Sequence, residues 1–369
     1  MTFEQSRDPC IRNAGISVDA GRKANTPAEV KDAKSRLQMA EITGVANKGR
    51  EGLGMKRRQY FSTSNRKVQR DMVVQSVREK EEEQRVINIT GLSKQGTNLR
   101  WDVPQRQISH NKMINTTEAS LSFFIKLVYD LLPTPANKSK WFGKEELCTL
   151  CGGQGTLNHI LSGCHIALSQ GRYKWRHDKV LRELSNSIEV KLKENRQSTA
   201  KPSNKSINFV REGEKTTQAK KELLDCYLTS TKDWKMSVDI GKSLKIPPEI
   251  TFTNLRPDIT LISNQTKQIG IVELTVPNED RIEISGELKR QKYEQIAQDG
   301  KLNGWRVKIW AVEVGCRGFP ATSLAYFLKD IGYKGKGKKE TLEKIGQAAQ
   351  YASHTLWKAS HYKNWGASC

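Results

Sequence analysis

The residues best suited to chemistry lie in two stretches, Arg256-Pro257-Asp258 and Ile269-Gly270-Ile271-Val272-Glu273-Leu274-Thr275-Val276. An aspartate heads a strand-like run, Asp258 to Ile262, and a glutamate interrupts the second apolar run. Between them Asn264-Gln265-Thr266-Lys267 has hairpin composition. Pairing the two runs brings Asp258 and Glu273 close together in a sheet. Two nearby carboxylates repel each other and a divalent cation offsets that cost, so the pair suits Mg2+ held against a phosphodiester. A Pro-Asp pair and one acid in an apolar run also arise by chance, so the reading needs further groups. The next element supplies them. Arg281 to Asp299 reads as a helix in which Lys289, Lys292, Tyr293 and Ile296, at i, i+3, i+4 and i+7, share one face. A helix leaving the Glu273 strand and folding back over the sheet aims that face at the carboxylates. A lysine there could orient an attacking water or stabilise a pentavalent phosphate.

A second constellation is Cys148-x2-Cys151-x7-His159-x4-Cys164. Three thiolates and one imidazole make a closed tetrahedral set, the arrangement of structural zinc rather than of a catalytic ion with an open position. Gly152, Gly153 and Gly155 supply flexible backbone beside the Cys-x2-Cys knuckle, and Asn158 to Gly163 presents His159 and Cys164 from about one helical turn. His165 reads as a neighbour, with a ligand role as the lesser alternative. The other cysteines, Cys10, Cys226, Cys316 and Cys369, read as free thiols, and Cys316, with no histidine near it in sequence, as a buried structural one. In Arg176-His177-Asp178, His177 is either a general base or a brace between the zinc module and the next domain, and the brace is the better reading.

Elements must position these groups. Thr26-Pro27-Ala28-Glu29 is a helix start, with Val30, Ala33 and Leu37 as its stripe and Gly44 as its end. A charged helix runs from about Asn65 to Val86 on a narrow face of Val73 and Val77. Thr117 to Leu132 presents Leu121, Phe124, Ile125, Val128 and Leu132, and Pro133 and Pro135 end it. Arg172 to Lys193 buries Val180, Leu184 and Ile188; Asn195 to Asn208 reads as a loop, and a helix is expected around Thr216 to Leu228. Trp234, Met236, Val238 and Ile240 alternate as in a strand, and another strand runs from Trp305 to Val314. Helices at Ala321 to Ile331 and Lys339 to Lys358 close the chain. Strands interleaved with helices predict an α/β sheet with helical cover. Residues 1 to 25 show no periodicity and are expected to be disordered or loosely attached.

The chain has 369 residues, room for two or three domains, with 62 basic against 40 acidic side chains and a formal charge of +22. That excess is spread along the chain, and a polyanion, by default nucleic acid, is the expected partner. No apolar run approaches the roughly 20 residues a membrane helix needs. The polar N-terminus carries acids early and reads as no secretory signal, and the whole reads as part of something longer.

Taken in order, the zinc knuckle, the Arg-His-Asp helix, the Arg-Pro-Asp strand, the Glu strand and the Lys-x-x-Lys-Tyr helix resemble the C-terminal part of site-specific non-LTR retrotransposon proteins. By motif the resemblance covers about residues 115 to 300. It implies a restriction-endonuclease-like core of the PD-(D/E)xK superfamily, a mixed sheet flanked by helices, preceded by a helical region and a CCHC zinc knuckle. It divides the chain into 1–115, a helical and partly disordered basic linker; 116–170, a helix plus knuckle; and 171–369, the endonuclease. It implies Mg2+-dependent cleavage of a double-stranded DNA target in the nucleus, element RNA as a second partner, and no membrane. Asp258 and Glu273 are similar to the metal carboxylates, Lys289 to the catalytic lysine beside Lys292 and Tyr293, and Cys148, Cys151, His159 and Cys164 to the knuckle ligands. Three departures stand out. The reverse transcriptase is missing, and the histidine spacing is longer than in the compact retroviral knuckle. Thr275 occupies the position where the superfamily usually has its lysine, so the positive charge must come from Lys289, with Lys292 in reserve. Two other classes compete: a nucleic-acid-binding remnant with an inactive nuclease fold, and a zinc-stapled interaction protein, which the charge disfavours.

Overall fold

The computed structural model describes residues 28–48, 61–92, 96–101, 103, 116–197, 226–241 and 244–366. The chain forms two compact units, 1–93 and 94–369. The expectations for residues 1 to 25 and for 198–225 lie outside the described residues.

In the first unit, helix α1 (Ala28–Lys48) packs against α2 (Arg66–Thr90) through buried Ala33, Phe61 and Val73. The stripe read from the sequence is the one used. Gly44 does not end α1, which runs on to Lys48; a glycine inside a helix costs only about 1 kcal/mol against alanine and stops nothing by itself. Asn65 caps α2 by accepting from the Val68 N–H at 3.0 Å.

The second unit is mixed α/β. Its four-stranded sheet has the order β1 (Lys235–Val238), β2 (Ile259–Ser263), β3 (Gln268–Thr275), β4 (Arg306–Glu313). The pairs β1–β2 and β2–β3 are antiparallel and β3–β4 is parallel. Helices α3 (Glu118–Val128), α4 (Pro135–Phe142), α5 (His165–Ser169) and α6 (Arg172–Gln197) precede the sheet. Helix α7 (Ile282–Leu302) is the crossover that parallel pairing of β3 and β4 demands, and α8 (Thr322–Asp330) and α9 (Gly335–Ala359) complete the unit.

Period-two alternation divides the core. Ile259, Leu261, Val272, Leu274, Trp310 and Val312 pack with Leu181, Leu184 and Ile188 of α6, Phe327 of α8 and Ile345 of α9. On the other face Ile269 and Ile271 pack with Tyr293 and Ile296 of α7. Glu273 continues that second set, so it belongs to the face that α7 covers.

Four expectations are corrected. Pro135 does not only end a helix: α3 stops at Val128, Asp130 adopts φ 53°, and Pro135 opens α4 behind the Thr134 cap. The buried side of α3 is Phe123, Phe124, Leu127 and Val128, while Ile125 is exposed. The reason is that α3 serves two clusters at once, one with Leu157, Leu161 and Cys316 and the other with Trp101 and Phe319. The stretch around Leu228 is a 3-10 turn, Tyr227–Ser230, in which the Leu228 carbonyl accepts from the Trp234 indole and the Asn195 amide. Asn195 itself is a last-turn residue of α6, not a loop residue.

Candidate functional site

The antiparallel register pairs Ile259 with Val272, so the next step along the ladder sets Asp258 beside Glu273. Each side chain is tied into the opposite strand's backbone. The Asp258 N–H donates to Glu273 Oε2 at 3.2 Å, and the Leu274 N–H donates to Asp258 Oδ2 at 2.7 Å. Glu273 is almost wholly buried, and Asp258 is half-buried. Lys289, on the covering face of α7, sets its ammonium on Glu273 Oε1, and Lys292 Nζ lies 4.0 Å from the same oxygen. Tyr293 is fully buried; its hydroxyl donates to the Arg256 carbonyl at 2.9 Å and accepts from Lys292 at 3.3 Å. The tyrosine therefore pins the segment that leads into Asp258. Burial and then the charge of Asp258 raise Glu273 above its ordinary value, against the pull of Lys289. Two carboxylates thus face two lysines on this side of the sheet, and Asp258 keeps a partly exposed edge.

Another cation comes from α6. His177 Nε2 lies 3.3 Å from Asp258 Oδ2 and 3.3 Å from the Leu274 carbonyl, and its Nδ1 lies 3.1 Å from Asp178 Oδ1. Burial works against its charge, but the hydrogen bonds to Asp178 and Asp258 outweigh it and lift His177 to about 9. The sequence reads His177 as a brace for the zinc module; its contacts are instead with Asp258, Asp178 and the Leu274 carbonyl. A histidine raised from 6.5 to about 9 stabilises the fold fully below pH 6.5 and loses that contribution as pH rises through about 9. With zinc bound and no added Mg2+, the urea midpoint of the wild type should fall across that window and His177→Gln should remove that part of the fall. Equal pH slopes for the two proteins would contradict the assignment.

The second constellation also comes together. The ligand-type atoms of Cys148, Cys151, His159 and Cys164 lie within 4.8 Å of one another and could hold a metal ion. His159 Nε2 is 3.1 Å from Cys151 Sγ. The knuckle closes by hydrogen bonds from the Cys148 N–H to the Gly153 carbonyl and from the Gly152 N–H to the Cys148 carbonyl, with Gly152 at φ 71°. Gly155 has no room for a side chain: a Cβ there would lie 2.6 Å from Pro135. His159 and Cys164 flank one turn of π-helix, His159–Gly163. Burial holds the His159 imidazole below its ordinary value and therefore neutral, as a ligand must be. Burial also pushes the Cys164 thiol up to about 11, so its ionisation calls for a nearby cation. His165, on α5, is not among the converging groups.

The first turns of α6 join the two sites. The Tyr173 hydroxyl accepts from the Cys164 N–H at 3.0 Å and donates to the Ile160 carbonyl at 3.0 Å. Arg176 is buried; its Nη1 donates to the Leu161 carbonyl at 2.8 Å and its Nη2 to the Val276 carbonyl, just past β3, at 3.2 Å. The neighbouring His177 grips Asp258. Sequence reasoning singled out the Arg-His-Asp triplet but not this division of labour; three consecutive polar residues entering a long amphipathic helix were the available signal. Cys316 is buried, with Sγ 3.7 Å from Glu279 Oε2, and burial pushes its thiol up to about 12, which makes it inert rather than nucleophilic.

No known protein family and no curated protein sequence matches this chain.

Proposed function

We propose that this chain is a Mg2+-dependent DNA endonuclease of retroelement origin, built on a PD-(D/E)xK-like core behind a structural zinc knuckle. The observation that carries the reading is the seat of Lys289 on Glu273, one ladder step from Asp258. The superfamily's lysine normally comes two residues after its second acid on the same strand. Here that place is taken by Thr275, and a helix returns the charge to the same carboxylate.

One oxygen of Asp258 supports a cation here, although Lys289 and the Asp258 amide already engage the two oxygens of Glu273. No hydrogen bond from the described residues reaches Asp258 Oδ1, while Oδ2 is held by the Leu274 amide and His177. Held by Asp258 and Glu273, Mg2+ would supply Lewis-acid polarisation of a phosphoryl oxygen and a more acidic water. The chain's own groups do the rest. The Leu274 amide and His177 fix the direction of Asp258, and the Asp258 amide fixes Glu273. Lys289 keeps a positive charge where negative charge grows on the phosphate, and Lys292 stands 4.0 Å from the same carboxylate. For the second centre, three thiol ligands and one imidazole with no open position fit zinc in a structural role.

Double-stranded DNA is the proposed substrate, element RNA a secondary partner, and the nucleus the place of action. The charge of +22 supports a polyanion, and among the described residues no helix is long and apolar enough to cross a membrane. Supercoiled plasmid incubated with the protein should be nicked in Mg2+ and left intact in EDTA. Intact plasmid in both, with binding retained, would replace this reading with that of an inactive nucleic-acid-binding remnant. Binding should also weaken steeply with salt, the log–log slope approaching about −0.9 per phosphate contacted. An affinity indifferent to salt would show that the basic surface is not the binding surface.

A further inference from the structure

The loop between β1 and β2 presents an aromatic ring that the nuclease centre leaves unused. Phe252 is 94% exposed, the highest value of any large apolar side chain among the described residues. Its surroundings are held firmly. Ile246 and Ile250 are buried against the α7 face of the sheet. The Thr251 hydroxyl donates to Asp299 at 3.0 Å, Asn303 donates to the Ile250 carbonyl at 2.9 Å, and the Leu255 N–H donates to the Thr253 hydroxyl at 3.0 Å. At the far end, Tyr293 ties down the Arg256 carbonyl. A braced backbone therefore holds a flat apolar ring out into water.

Phe252 borders a groove of about 370 Å3 whose lining includes Lys245, Thr251, Asn254 and Arg256. Among the described residues, the lining holds two cations and no carboxylate. An apolar ring beside lysine, arginine and neutral polar groups suits a ligand with flat apolar faces strung on a polyanion, which is a nucleic acid. Phe252 precedes Asp258 by six residues. Those residues can span at most ~20 Å, or roughly six base steps at ~3.4 Å each.

We infer that Phe252 wedges between base pairs of the bound duplex and stacks on a base it partly unstacks, within about six base steps of the scissile phosphate, while Lys245 and Arg256 hold the flanking phosphates. The inference deepens the nuclease reading, on which it rests for the position of the DNA. Stacking does not require cutting, so the two can be tested apart.

The full chain, zinc-loaded and in buffer without added Mg2+, is bound to duplex DNA substituted throughout with 5-bromodeoxyuridine, irradiated, digested and mapped by mass spectrometry. A crosslink at Phe252 is expected. Phe252→Ala should lose it and bind unsubstituted duplex roughly tenfold more weakly, while Phe252→Tyr should retain both. Because the ring is exposed, both variants should melt as the wild type does. Crosslinks that fall elsewhere, together with wild-type binding by Phe252→Ala, overturn the proposal. So does a Phe252 crosslink to 5-bromouridine RNA but none to DNA. A crosslink at Phe252 in a protein that never nicks plasmid in Mg2+ upholds the stacking surface and removes the catalytic reading alone. Mg2+-dependent nicking with no role for Phe252 does the reverse.

Discussion

Lys289→Ala should slow Mg2+-dependent nicking of supercoiled DNA ~100–1000-fold, the loss expected when a group worth ~2.7–4 kcal/mol in a transition state is removed. The ammonium it removes is the one seated on Glu273 Oε1, in a place where Glu273 is buried and already opposed by the charge of Asp258. DNA binding should change little, because one of many cations is lost. Asp258→Ala should abolish the metal-dependent reaction outright, since it deletes the carboxylate that the Leu274 amide and His177 position. Lys292→Ala is the control. Lys292 is 4.0 Å from the same oxygen and is more exposed, so its loss should be much the smaller. Single-turnover rates decide among these. Wild-type cutting by Lys289→Ala with failure of Lys292→Ala would move the catalytic role one turn along α7. Wild-type rates in both would remove the active-site assignment.

Cys151→Ser should release the metal from the cysteine module. The four ligands converge on one position, so purified wild type should carry one equivalent of zinc by elemental analysis, and the variant essentially none. Structural zinc is worth on the order of 10 kcal/mol in small zinc modules. Apart from the metal, the loop from Leu147 to Cys164 is held by Leu157 and Leu161 in the core shared with α3 and by hydrogen bonds to Tyr173 and Arg176, each worth only about 1 kcal/mol. Hydrogen exchange should therefore speed up across 147–176 while the sheet stays protected, since β2, β3 and β4 are buried in a separate cluster with α6, α8 and α9. Nicking should fall as well. The Leu161 carbonyl that anchors Arg176 lies inside the module, and the residue after Arg176 holds Asp258. Full retention of zinc by Cys151→Ser would overturn the ligand assignment. Loss of the sheet along with the metal would show that the module nucleates the whole unit.

Much of this protein is legible in its sequence, and the reason is local. A Cys-x2-Cys pair beside three glycines can close only as a knuckle, and the spacing to His159 and Cys164 matches one further turn. Two apolar runs joined by four polar residues pair as β2 and β3, and period-two alternation then puts Glu273 on a definite face. Helical spacing alone likewise puts Lys289, Lys292 and Tyr293 on one side of α7. Other boundaries shift because tertiary packing overrides local signals. Gly44 sits inside a helix whose packing residues lie earlier, Pro135 opens a helix, and α3 turns Ile125 outward because two separate clusters claim its other sides.

What the sequence could not decide is which distant groups meet. Periodicity says which face a residue occupies but not what lies across from it. Nothing in the spacing ties Arg176 to the Leu161 and Val276 carbonyls, or His177 to Asp258, because those partners come from other elements and two of them are backbone oxygens that carry no residue signature. The exposure of Phe252 is hidden for the same reason. A phenylalanine in a loop reads as a core residue until the chain around it packs and leaves its ring outside. The sequence determined the chemistry available and the face each group would occupy; the assembly of α6, α7 and the β2–β3 pair determined that Lys289 and His177 approach the same two carboxylates from different helices.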